Sequence, residues 1–309
     1  MSKTTNPRIL VQPPASLRTV LIGAGAVVLL LLGLVLTGLI HNVWVQVIIL
    51  GVVQGLTEFL PISSTGHLLI VSNLLQFPFS LGGTFEIFIQ LGTVFSVLIY
   101  YFRDLLQQAQ GFTSQAEVRR FWLAVLLAFI PAVIVGLLFG DWVKAVIYDT
   151  PAVIAAALIV GGIVFIVLEW MPPRPVTTAK ETDISFRQAL TVGLAQVMAF
   201  VPGVSRSGAS IVGGLLAGLD RRAATAFSFY LSIPTLGAAT VVDLLRNLDQ
   251  VTADDAVRLL LGAVVAGIVG WLSIGWLLRF VATNSFVAFG IYRILAGVLI
   301  LLMVAAGVL

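Results

Sequence analysis

Cysteine is absent from this sequence. Disulfides, zinc–thiolate sites, iron–sulfur centres and a cysteine nucleophile are thereby excluded. Histidine is scarce, with only His41 and His67. Charge is scarce too: Asp, Glu, Lys and Arg are 10% of the 309 residues, where soluble domains carry about 25%. The net charge of +3 is small and reads as loop asymmetry, not as the mark of a nucleic-acid partner. What is present is apolar: 59% of residues are hydrophobic and the mean hydropathy is +1.09. Apolar runs near 20 residues predict an all-α, polytopic membrane protein. A β-barrel would show short alternating segments instead.

Full-length spans are expected at 19–40, 83–101, 121–140, 151–170, 222–245, 257–279 and 286–309. The first follows a polar stretch holding Lys3, Arg8 and Arg18. It runs for 22 residues, longer than the core of about 7–15 in a signal peptide, so an uncleaved extra transmembrane helix is expected. Two regions, 43–76 and 187–219, do not fit as spans. Each is apolar, then broken by proline and a Ser/Gly cluster, then apolar again. Each half is only about 12–16 residues, too short for a hydrocarbon core of about 30 Å. A re-entrant helix hairpin is the natural reading.

The two hairpins resemble each other at a constant offset of 142 residues. Gly51 meets Gly193, Gln54 meets Gln196, Ser63 meets Ser205, Gly66 meets Gly208, Phe85 meets Phe227 and Thr93 meets Thr235. This is an internal repeat. Each half holds one hairpin and three spans, and three crossings invert the second half. Inverted-topology repeats place a site where their breaks meet. With the N-terminus in the cytoplasm, inside segments hold Lys3, Arg8, Arg18, Arg103, Arg119, Arg120, Arg174, Lys180, Arg187, Arg221, Arg222 and Arg279. Outside segments hold only Lys144, Arg246 and Arg258, as the positive-inside rule requires.

Charge at the bilayer centre costs about 2.5–3.5 kcal/mol on insertion scales, yet the hairpins carry Glu58, His67 and Arg206. Gln54 and Glu58, spaced i, i+4, share a helix face. Pro61 should end that helix near Ile62. Ser63, Ser64 and Thr65 are good N-caps, Gly66 permits unusual backbone angles, and His67 falls in the first turn of a new helix. Its N-terminus is a phosphate cradle. The second hairpin repeats the plan at VPGVSRSGAS, with Pro202 and Gly203 as breakers and Ser205, Ser207 and Gly208 leading into a helix. Arg206 supplies a guanidinium suited to phosphate. The set fits an anionic phosphate ester, with a divalent metal at Glu58. Plainer readings stand beside it: Glu58 and Arg206 as a structural ion pair, His67 bonded to a carbonyl, the serines as caps alone. Glu86 and Arg293 also lie in apolar spans; structural pairing or snorkelling is expected of Arg293. Asp243 and Glu169 are expected to be solvated or paired, and His41 to be solvated.

GVVQGLTEFLPISSTGHLLIVSNLL (51–75), TFEIFIQLGT (84–93) and PGVSRSGASIVGGLLAGLDRRAATAFSFYLSIP (202–234) resemble the undecaprenyl-diphosphatase family linked to bacitracin resistance. The similarity runs from about residue 42 to the C-terminus, so residues 1–40 are an N-terminal extension and 41–309 a single membrane phosphatase domain with halves 43–170 and 187–309. The resemblance implies an enzyme of the bacterial inner membrane. It would hydrolyse undecaprenyl diphosphate to the monophosphate and inorganic phosphate at the outer face, recycling the lipid carrier of cell-wall synthesis. It implies re-entrant helix pairs, inverted repeats and a magnesium or calcium ion. The family's acidic motif maps to Gln54 and Glu58, with glutamine where other members have a second carboxylate. The serine motif maps to Ser63, Ser64, Thr65, Gly66 and His67, and the arginine motif to Gly203, Ser205, Arg206, Ser207 and Gly208.

The expected partners are the polyprenyl diphosphate, membrane lipids and, as a candidate, a second copy of the chain. Arg206 and the helix N-termini would hold phosphoryl oxygens, with the metal on Glu58 and Gln54. The nucleophile is open between Ser64 activated by His67, His67 itself, and water. Lipid phosphatases of the phosphatidic acid type need two histidines in spaced motifs, and His41 lies outside both hairpins. The rival from another class is a transporter that flips undecaprenyl phosphate, since inverted repeats are also a transport architecture. A membrane scaffold is the third reading.

Overall fold

The computed structural model describes residues 37–78, 84–146, 150–172, 175–247 and 252–309. All but the last four residues of the expected span 19–40 lie outside these. The described residues hold eleven α-helices. The first interrupted segment forms α1 (Val43–Thr57) and α2 (Ser64–Leu74). Then come α3 (Thr84–Tyr100), α4 (Phe102–Gly111), α5 (Ala116–Val146) and α6 (Pro151–Trp170). The second interrupted segment forms α7 (Phe186–Gln196), a 3-10 turn at Val197–Phe200, and α8 (Arg206–Leu216). The chain closes with α9 (Arg221–Asn247), α10 (Ala253–Val281) and α11 (Val287–Ala305).

Among the described residues, Ala116–Gly140 of α5 and the helices α6, α9, α10 and α11 are long and apolar enough to cross a membrane. The pair α3 and α4 makes a sixth candidate, bent by 70°. The expected span 83–101 is therefore α3 alone. The apolar run stops at Tyr101, and α4 brings Arg103, Asp104, Gln107, Gln108 and Gln110. That composition suits the interface, so the chain turns away from the hydrocarbon.

Helix α1 starts at Asn42, whose side chain accepts from Trp44 N at 2.9 Å. It ends at Thr57, earlier than the expected stop near Ile62. The reason is the reach of Pro61: its ring clashes with the carbonyl four residues back, which is that of Thr57. Residues 58–62 therefore form a turn rather than continuing the helix.

The packing partners exchange between halves. Helix α10 packs on α1 and α3, while α5 packs on α7 and α9; α3 meets α9, and α6 meets α11. Swapping each helix for its repeat mate turns this pattern into itself. Lipid offers no hydrophobic drive between helices, so close approach at small residues matters. A Cβ on Gly162 would lie 2.6 Å from Gly290 O, and one on Gly290 would lie 2.8 Å from Gly162 O. The α6–α11 seam thus needs glycine on both sides.

Large apolar side chains cover the outside as well as filling the core. Leu137, Leu138, Leu245 and Ile99 face outward, as a lipid-facing surface requires. Gln54, Glu58, Ser63, Ser64, Glu86, Ser205, Ser207 and Arg293 are buried. Phe59, Phe121, Phe227, Phe229 and Tyr230 anchor an apolar cluster beneath the two turns.

Candidate active site

Each interrupted segment turns through a serine in an uncommon backbone state. Ser63 has φ 74° and Ser205 has φ 77°. Among the described residues only Gln76 joins them as a non-glycine at positive φ. Each serine then caps the next helix: Ser63 Oγ accepts from Gly66 N at 3.3 Å, and Ser205 Oγ from Gly208 N at 3.1 Å. Helices α2 and α8 thus start with their unpaired N–H groups at the turns.

The two turns are joined by charge. Arg206 Nη2 donates to Glu58 Oε1 at 2.8 Å. Nη1 of the same guanidinium donates to the Ser228 carbonyl at 2.8 Å. The other carboxylate oxygen, Glu58 Oε2, accepts from Ser64 Oγ at 2.6 Å and from Gln54 Nε2 at 3.0 Å. Glu58 is 4% exposed. A pair this buried depends on its remaining hydrogen bonds, and both carboxylate oxygens have theirs.

A cavity of about 90 Å³ opens over the pair. Glu58, Ser63, Ser64, Thr65, Gly203, Ser205 and Arg206 line it. The remaining expected site residues lie off the cavity. Gly66 and Gly208 donate their N–H groups to the capping serines. Ser207 Oγ donates to Leu60 O at 3.0 Å, tying the second turn to the first. Gln54 stands behind Glu58.

The expected couple between Ser64 and His67 does not form. His67 Nδ1 lies 2.7 Å from the Ser63 carbonyl, and Nε2 lies 2.7 Å from Tyr292 Oη. A carbonyl only accepts, so Nδ1 carries the proton; in the neutral ring, Nε2 then accepts from the tyrosine hydroxyl. The rings stack at 5.7 Å. The hydroxyl of Ser64 goes to Glu58 instead.

Arg293 neither pairs with an acid nor snorkels: it is wholly buried among main-chain carbonyls. Glu169 is paired, accepting from Arg221 Nε and from Phe286 N at 3.0 Å each. His41 is exposed. Sequence reasoning missed Gln90, Phe200, Pro202 and Leu236 in the cavity wall, and Ser228 and Tyr292 as partners. Gln90 had a signal as an amide inside the apolar run of α3, and Pro202 was read only as a helix breaker.

Two buried atoms have no hydrogen-bond partner at the site, Gln54 Oε1 and Arg206 Nε. The first is an oxygen beside a carboxylate, which suits a hard cation. Among the described residues no three His, Asp or Glu side chains cluster as a metal cage. A divalent ion would rest on Glu58 and the unpartnered Gln54 oxygen.

Fold and site define a class: a multi-pass helical membrane protein with a buried carboxylate–guanidinium pair between two broken helices. The family model described as bacitracin resistance protein BacA matches residues 47–299. The undecaprenyl-diphosphatase of Deinococcus radiodurans is 48% identical over 269 residues, covering 86% of this chain and 97% of its own. That of Deinococcus deserti is 46% identical over 270 residues, with coverage of 86% and 97%. Undecaprenyl-diphosphatase 3 of Acinetobacter baylyi is 44% identical over 257 residues, covering 83% and 96%. The chain belongs to the bacitracin resistance protein BacA family.

Proposed function

We infer that this protein is an undecaprenyl-diphosphatase, which hydrolyses undecaprenyl diphosphate to undecaprenyl phosphate and inorganic phosphate. The observation that carries the reading is the Glu58–Arg206 contact at 2.8 Å, in a chain 48% identical to an enzyme of that name.

The proposed chemistry starts from Ser64. Its hydroxyl attacks the terminal phosphorus while Glu58 takes its proton through the bond already made. The bond to the bridging oxygen breaks, and undecaprenyl phosphate leaves. Water then hydrolyses the phosphoserine, releasing phosphate and returning the proton to Ser64. Arg206 and the N–H groups at the starts of α2 and α8 hold the phosphoryl oxygens where charge develops. His67 orients the first turn through the Ser63 carbonyl. A magnesium or calcium ion, held by Glu58 and Gln54 Oε1, would supply Lewis-acid charge on the phosphoryl oxygens.

The finer architecture is proposed with it. Helices of 15 and 11 residues (α1, α2) reach only about 22 and 16 Å, short of a core of about 30 Å. They and α7–α8 are read as re-entrant hairpins from opposite leaflets, in two inverted repeats of one domain. The enzyme sits in the bacterial inner membrane, with its site open to the outside and the prenyl chain in lipid.

The test is phosphate release from undecaprenyl diphosphate by purified protein in detergent micelles. Wild type, Glu58→Ala, His67→Ala and Arg206→Ala are compared, with and without chelator. Release by wild type and loss in Arg206→Ala are expected. Micelles have no two sides, so a transporter would release nothing there. Covalent phosphate trapped on imidazole, or on no residue, would sink the serine step.

A further inference from the structure

Arg293 has no part in the chemistry above, yet it touches both turns. It lies within α11 and is 0% exposed. A guanidinium has five N–H donors, and here each meets a main-chain carbonyl. Nε donates to Leu158 O at 3.3 Å. Nη1 donates to Pro61 O and Val204 O, both at 2.9 Å. Nη2 donates to Ala157 O at 3.1 Å and Gly203 O at 3.0 Å. The ring of Phe165 covers its face at 5.9 Å.

The choice of carbonyls matters. Pro61 follows Glu58 by three residues, and Val204 precedes Arg206 by two. Pro61 and Gly203 are the same position in the two repeats, 142 apart. The breaks in both hairpins leave carbonyls without helical partners, in a setting where water cannot reach them. One side chain satisfies carbonyls of both and ties them to α6. The spacing between the turns is the spacing across which Glu58 meets Arg206.

We propose that Arg293 is a positioning residue for the hydrolysis: it clamps the two broken turns at the separation that joins Glu58 to Arg206. The proposal rests on the diphosphatase reading. Lysine has only three donors on one atom and cannot span the same five carbonyls.

Gly161 on α6 offers a way to move the clamp without removing it. A Cβ there would overlap the guanidinium, and its three nearest atoms all belong to Arg293. Alanine is also a better helix former than glycine, so α6 itself is not weakened. The control is Gly237→Ala, whose Cβ meets nothing within 4 Å.

The experiment measures phosphate release and thermal unfolding for Gly161→Ala, Arg293→Lys, their double variant and Gly237→Ala. Gly161→Ala is expected to lower kcat by about 10- to 100-fold, the scale of a 1 Å misplacement. KM should stay within about threefold, the melting temperature should fall as carbonyl bonds are lost, and Gly237→Ala should behave like wild type. In the Arg293→Lys background, Gly161→Ala should cost less than about threefold, because no guanidinium occupies that space. Equal costs in both backgrounds, or wild-type kcat in Gly161→Ala, overturns the clamp. So does a loss that disappears when kcat is expressed per folded molecule. If Arg293→Lys does not fold, Gly161→Ala alone decides on kcat. A wild-type protein that releases no phosphate strikes at the diphosphatase reading instead.

Discussion

The turn at residues 58–67 and the turn at 200–209 share one backbone and divide one chemistry. Both place a serine at positive φ, and both use its hydroxyl to cap the next helix. At the next position the side chains part: Ser64 in the first turn, Arg206 in the second. Glu58 corresponds to Phe200, and His67 to Ala209. The first turn thus keeps the carboxylate, the hydroxyl and the imidazole, while the second keeps the cation. Backbone strain costs of order 1–3 kcal/mol per residue and persists where the surroundings enforce it. Its presence at matching positions gives both segments the same device for aiming helix N-termini. Different side chains on that shared backbone make two unlike halves.

Making the turns alike should have the largest effect. Arg206→Ser gives the second turn the residue of the first. Activity is expected to fall by about 10³-fold, the upper range for losing one preorganised donor. It also leaves Glu58 buried without its cation, at a cost of about 3–5 kcal/mol. The double variant Glu58→Gln/Arg206→Gln separates the two effects. Its melting temperature should recover towards wild type while phosphate release stays lost. Activity in the double variant would reduce the pair to a structural tie and break the comparison.

Ser64→Ala asks whether the first turn holds the attacking group. It should abolish trapped phosphoserine. Groups that act as a unit are strongly non-additive, so adding it to Arg206→Ser should cost less than about tenfold more. Turnover assays and phosphopeptide mapping check both statements.

Much of the candidate site's geometry was legible in the chain itself. The i, i+4 spacing of Gln54 and Glu58 and the Pro/Ser/Gly breaks mark the turns. The constant offset pairs them, so the meeting of Glu58 with Arg206, 148 residues apart, followed from the repeat. The partners that were not legible bind the main chain or lie off the repeat. Arg293 bonds only carbonyls in this site, and a carbonyl leaves no trace in residue identity. Tyr292 lies 225 residues from His67, with no repeat mate to announce it. The bend between α3 and α4 was legible in hindsight, from the polar residues after Tyr101. The early end of α1 needed the reach of the proline ring, not its position alone.

Tyr292→Phe tests the imidazole that the second turn lacks. It keeps the stacked ring and removes the hydroxyl from His67 Nε2. One net hydrogen bond is worth about 0.5–1.5 kcal/mol, so kcat should fall by about 2- to 10-fold. The pH–rate profile should shift with it, because the nitrogen that accepted from tyrosine is freed. His67→Ala, which makes the first turn resemble the second at this position, should lose more than Tyr292→Phe. The reverse order would mean that Tyr292 acts independently of His67.

The smallest effects should come from the feature the turns share. Ser63→Ala and Ser205→Ala each remove a cap and keep the strained backbone, so each should lower stability by about 1 kcal/mol. Ser63→Gly and Ser205→Gly remove the same cap, but glycine adopts positive φ without a Cβ penalty. Each glycine variant should therefore be more stable than its alanine counterpart, by about 1 kcal/mol or more. Ser205 also approaches Ser207 Oγ at 3.0 Å, so both of its variants should fall slightly below those of Ser63. Thermal unfolding of the four proteins measures the two gaps side by side. Equal gaps mean that the same strain is held in both turns by the same scaffold. A gap at only one turn would mean that the other serine is there for its hydroxyl alone, and that the two halves share a sequence pattern without sharing its backbone cost.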